Sequence, residues 1–157
     1  MRLSAPHNFF MLFMNNRILF ILLFVCGISF AQKEITWFDL SKVKFENKYI
    51  PEYDDYYLFP NFSAPVKALD GAEVTITGYF LDIDPKGEIF VLSKGPMSSC
   101  FFCGIGGPET AVEVYFKSKP SFKMDDIVTV SGIFELNSDD VDHFNYILRD
   151  ASGALTD

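Results

Sequence analysis

Cys100 and Cys103 stand two residues apart in SSCFFCGIGGPE, residues 98–109, and of all side chains in this sequence they are the best suited to chemistry. Two thiolates at this spacing can share one ion as half of a zinc site, but a structural site needs four ligands. There is no second Cys-x-x-Cys, so further ligands must come from His143 or, more weakly, from Met97, Glu109 or Asp142. Thiolate, imidazole and carboxylate together suit zinc, whereas thiolates with Met97 suit copper(I). In an oxidising compartment the same two residues would close a Cys100–Cys103 disulfide. So small a ring stabilises modestly, yet it would pin the glycine loop in one shape. Thiol–disulfide exchange is a third reading, and it requires a thiolate activated at a helix N-terminus. Gly104, Gly106, Gly107 and Pro108 follow Cys103 and stop any helix there. Metal clip, staple and redox pair all stay open on the sequence, with the redox pair the least supported.

Other constellations are sparse. DIDPKGE, from Asp82 to Glu88, lacks the distal glutamate of a calcium loop and reads as a hairpin turn. With His143 the only histidine beyond residue 31, no Ser–His–acid set can be assembled. No enzyme activity is expected.

These side chains belong to a chain with the marks of export. Arg17 precedes an apolar run from Ile18 to Phe30, with Ser29 and Ala31 at the small-residue positions before a cut. Residues 1–31 therefore read as a signal peptide, with Met14 an alternative start. The run is shorter than the roughly 20 residues that span a bilayer, so an uncleaved signal is the one route to a membrane. Two of the 13 basic residues, Arg2 and Arg17, lie in this segment and no acidic ones do, leaving 11 basic against 21 acidic and a formal charge of −10 on residues 32–157. That charge repels phosphate backbones, so no nucleic-acid partner is expected. A periplasmic or extracellular location follows from the signal.

The elements that must position the loop are strands. EVTITGYFLDI alternates apolar residues with threonine, DPKG makes a turn, and EIFVLS returns. AVEVYFKS, DIVTVSGIFELN and HFNYILRD follow as third to fifth strands. EVTITGYF and IVTVSGIF resemble one another, each with a glycine where a bulge or bend is expected. Five bent strands predict an all-β, OB-like Greek-key barrel over 71–152, without the helix often found between strands three and four, and with a tail at 153–157. An open β-sandwich is the alternative. In such a barrel the loops after strands two and four leave from one end, which would bring Cys100, Cys103 and His143 together. Residues 32–70 read as an irregular strap, with a short strand or helical turn around Asp39. Its tyrosines, Tyr53, Tyr56 and Tyr57 among them, either cover the barrel end or offer a partner surface.

The order TWFDL, LDGAEVTITGYFLDID, EIFVLS, a cysteine loop ending in proline, VEVYF, IVTVSGIFEL and YILRDAS resembles a family of small secreted bacterial proteins of unknown function. The resemblance spans about residues 34–152. It implies an envelope location, an OB-like barrel, and kinship with accessory proteins found beside metal-uptake transporters. Cys100 matches the family's cysteine, while Cys103 stands near the place of its histidine and Pro108 replaces several prolines. The expected function is an envelope accessory protein that binds zinc or copper through the Cys-x-x-Cys loop, serving a transporter or another envelope protein. The alternative is a binding or scaffold module with a Cys100–Cys103 disulfide.

Overall fold

Alternation in EVTITGYFL and IVTVSGIFEL sends Val74, Ile76, Gly78 and Phe80, and Val128, Val130, Gly132 and Phe134, to a buried face. The computed structural model describes residues 32–84, 86–87, 89–100 and 104–156. The proposed signal peptide and Cys103 lie outside the described residues.

The barrel strands are β4 (Glu73–Leu81), β5 (Phe90–Ser93), β6 (Ala111–Phe116), β7 (Ile127–Leu136) and β8 (Tyr146–Leu155), and a two-residue β1 (Lys33–Glu34) pairs with the start of β4. Their order is β4-β5-β6-β8-β7, and a β4–β7 pairing closes the ring. β6 and β8 run parallel and the other barrel pairings are antiparallel. This is a closed five-stranded OB-like barrel. The β6–β7 connection, residues 117–126, is free of helix, as expected. The last strand starts later and runs further than the sequence suggests, because residues 153–155 of the expected tail pair with β7.

The two look-alike strands are hydrogen-bonded neighbours. Val74 faces Gly132, Ile76 faces Val130 and Gly78 faces Val128. On the outer face the hydroxyls of Thr75 and Ser131 lie 2.9 Å apart, and those of Thr77 and Thr129 2.7 Å apart. Each glycine makes room. A Cβ at Gly78 would stand 2.6 Å from the Ser93 carbonyl oxygen and 2.8 Å from the Trp37 ring. At Gly132 the β7–β8 register shifts, and a Cβ would meet the Arg149 carbonyl oxygen at 2.7 Å.

The strap holds more regular structure than its irregular sequence suggests. One helical turn, Trp37–Leu40, is followed by an antiparallel hairpin of β2 (Val43–Ile50) and β3 (Asp55–Phe62), and then by a second turn, Ala64–Lys67. Leu40, Phe62, Val66 and Leu69 join the barrel core, and the buried Tyr146 hydroxyl donates to the Leu40 carbonyl oxygen at 2.7 Å. Phe62 and Phe134 both pack on the Tyr146 ring, at 5.6 Å between centroids. Burial pushes the Tyr146 phenol well above its ordinary value. The barrel end is thus closed by Leu40, Phe62 and Tyr146, while Tyr53 and Tyr56 stay exposed. The far end is filled by Phe80, Phe90, Phe116 and Phe122.

Thr36 and Asp39 form a capping box that starts the first turn. The Lys42 ammonium, 2.8 Å away, and then the Thr36 donors hold the Asp39 carboxyl down at about 2, from 3.8. A depressed carboxyl contributes stability above its unfolded value, and the contribution disappears as pH falls through the folded value. Asp39→Asn should therefore be less stable than the parent at pH 5, with the gap in urea midpoint closing by about pH 2. An equal gap at both pH values would rule out ionisation of this cap as its source. Asp39 is well exposed, so solvent screening keeps the effect small.

Candidate functional site

Strand direction brings the loops after β5 and β7 to one barrel end, and packing of Phe62 on Tyr146 brings the N-terminal hairpin to the same end. The β7–β8 loop, residues 137–145, is organised by one side chain. Asn137 Oδ1 accepts from the Asp139 and Asp140 N–H groups at 3.3 and 3.0 Å. Its Nδ2 donates to the carbonyls of Asp140, His143 and Phe144 at 2.6, 3.1 and 3.3 Å. A buried amide thus engages five backbone groups, its two N–H hydrogens shared among three carbonyls, and gives the loop one shape.

Beneath this loop lies Glu113, only 3 % exposed. One oxygen, Oε1, accepts from the Tyr115 hydroxyl and is 2.9 Å from His143 Nδ1. The other, Oε2, accepts from the Phe144 N–H at 3.0 Å. A carboxylate oxygen accepts, so His143 Nδ1 is the donor of this pair. Burial, and then the bond to Glu113, raises the Tyr115 phenol above its usual range. Arg149 lies over the Tyr115 ring, 4.2 Å from its centroid, and bonds Glu135 at 2.9 Å.

Between this loop and the hairpin runs an open groove of about 340 Å³. Tyr56, Tyr57, Leu58, Phe59 and Pro60 make one wall, residues 138–141 and 143–145 the other, and Pro108 and Ala111 contribute between them. Near its mouth the carboxylates of Asp142 and then Glu52 hold the exposed Tyr53 phenol above its ordinary value, with Asp140 adding to them.

Cys100 points elsewhere. It is 2 % exposed, packs with Leu81, Val91 and Ala111, and its thiol donates to the Met97 carbonyl at 3.2 Å, with the Met97 sulfur at 4.0 Å. Among the described residues it is a free thiol. Met97 and Phe144 pack against the same cluster, so the Cys100 and His143 loops are neighbours. Glu109 lies at a third place, lining a second groove with Lys94, Ser99 and Ile105. Among the described residues no three His, Cys, Asp or Glu side chains gather as a metal site. The tyrosines, by contrast, meet the acidic loop and His143.

Glu113, Asn137 and Tyr115 did not stand out in the sequence. Alternation in AVEVYF puts Glu113 on the solvent side, opposite Val112 and Val114. Instead β6 lies between β5 and β8 and under the β7–β8 loop, so both faces of its first four residues are buried. The one available signal was a carboxylate inside a short apolar strand. No protein-family model matches this chain, and no curated protein matches it either.

Proposed function

We propose that residues 32–157 are a non-enzymatic binding module of the cell envelope, which takes a Lys- or Arg-bearing segment of a partner protein into the groove between β3 and the β7–β8 loop. The observation that carries this reading is the apposition of Tyr56 and Tyr57 with a loop bearing Asp139, Asp140 and Asp142. An ammonium or guanidinium group over a tyrosine face is attracted by the ring, and adjacent carboxylates add to that attraction. The formal charge of −10 on residues 32–157 favours encounter with a cationic partner. The envelope setting rests on the signal-peptide pattern and the family resemblance, which also make a transporter or another envelope protein the natural partner.

The test is a displayed library of random dodecapeptides, selected against residues 32–157, which form one compact unit with its own core. Selected peptides should be enriched in Lys and Arg. They should bind at least tenfold more weakly to Tyr57→Ala and to Asp139→Asn, and equally well to Lys44→Ala on β2, which does not line the groove. Peptides without cationic enrichment, or insensitive to both groove variants, would overturn the reading.

A further inference from the structure

Resting on this reading of the groove, we infer that the partner segment binds as an added β-strand along the open edge of β3. The hairpin is a sheet of two strands, so among the described residues β3 pairs with β2 alone. Which backbone groups face outward follows from the register. Ser63 N–H donates to the Lys42 carbonyl at 3.3 Å, and this pair continues the β2–β3 register from Val43↔Phe62. Hydrogen-bonded and non-bonded pairs alternate in an antiparallel ladder, so Asp55, Tyr57, Phe59 and Asn61 bond to β2. Tyr56, Leu58 and Pro60 then turn their backbone groups away from it. Two details agree. The Tyr56 N–H is taken up by the neighbouring Asp55 carboxylate at 2.7 Å, and Pro60, which has no N–H, occupies an outward position.

The groove follows this edge. Its wall consists of five consecutive residues, Tyr56 to Pro60, whose side chains alternate between the two faces of the strand. A groove over one face of the sheet would be lined by every second residue, so this one runs along the strand's side. The Tyr56 carbonyl and both backbone groups of Leu58 therefore border the space a partner would enter. The two hairpin strands also differ in protection. β2 carries Lys44, Glu46 and Lys48, the charges that discourage edge pairing, whereas β3 carries none from Tyr56 to Phe62. Tyr56 and Leu58 are 66 % and 48 % exposed. Main-chain bonds to β3 would supply affinity and register, and the tyrosines and loop carboxylates would choose the cationic side chains.

The best-binding dodecapeptide from the selection is the probe. It is resynthesised with a single backbone N-methyl group walked along it, which removes one donor and retains every side chain. Strand addition predicts alternation: methylation at every second central residue weakens binding at least tenfold, and methylation between them changes it less than threefold. Bound peptide should also slow hydrogen exchange of the Leu58 amide at least tenfold. A methylation scan without alternation, with Leu58 exchange unchanged, would overturn strand addition while leaving the cationic-groove reading intact. Failure to select any peptide dependent on Tyr57 would overturn both. Sedimentation of the free protein checks the competing occupant: a dimer broken by Leu58→Pro would mean that a second copy of this chain pairs with β3, and would overturn the partner-segment proposal.

Discussion

Glu113→Ala is expected to lower the stability of residues 32–157 by about 3 kcal/mol, an effect large enough to read directly from urea or thermal unfolding. The carboxylate accepts three bonds, from the Tyr115 hydroxyl, His143 Nδ1 and the Phe144 N–H, at a site only 3 % exposed. Alanine leaves these donors facing a void, and an unsatisfied buried donor costs about 1–3 kcal/mol. Part of that penalty is recovered because His143 is one-third exposed and can turn to water. Glu113→Gln retains the volume and an acceptor oxygen but sets an NH2 group against at least one donor, so it should fall between the parent and alanine. His143→Ala should be much milder, since it removes one donor at a partly solvated position. If Glu113→Ala and His143→Ala destabilised equally, the buried carboxylate would not be the anchor of the loop. Peptide binding should weaken in Glu113→Ala as well, because His143 and Phe144 form part of the groove wall.

The second large effect is local. Asn137→Asp replaces a donor that serves three carbonyls with an oxygen that repels them. The acceptor side of the residue is unaffected, so the bonds from the Asp139 and Asp140 N–H groups can persist. About 2 kcal/mol or more should be lost, mostly by opening of residues 137–145 rather than of the barrel. Native-state hydrogen exchange tests this. The amides of Asp139, Asp140 and Phe144 should exchange much faster in the variant, while those of Val130 and Leu148, in the barrel core, should change only with global stability. Asn137→Ser, which is small and can still donate to one carbonyl, should be intermediate. Uniform acceleration across loop and core would show that the loop is not a separate unit, and that Asn137 acts on the whole fold.

The sequence determined the barrel because its information there is local and repeated. Val74, Ile76, Val128 and Val130 alternate with threonines and serines, and that period of two admits one buried face. Gly78 and Gly132 stand at matching offsets and pair across the closure as neighbours of the other strand's valine. The missing helix between the third and fourth strands was likewise legible, from the lack of any helical period in residues 117–126. The strap was read less well. Pro51, Pro60 and Pro65 argue against a long helix, but they do not disclose a hairpin, and Pro60 is tolerated in β3 because its missing N–H faces an open edge.

Only the tertiary structure decided where the described chemistry-bearing residues sit and what they touch. Spacing alone could not say which way Cys100 points, and the thiol turns into a pocket of Leu81, Val91 and Ala111. The loop containing His143 does leave from the same barrel end, as strand direction requires. Its imidazole is held by Glu113, thirty positions earlier in the chain, on the strand that pairs in parallel with β8. Contacts of that kind depend on strand order, parallel pairing and which loop folds over which strand, none of which a local pattern encodes. The groove has the same origin. Its aromatic wall and its acidic wall are separated by more than half of the described chain, and they face each other only because the barrel closes and the hairpin docks through Phe62 and Leu40 on Tyr146.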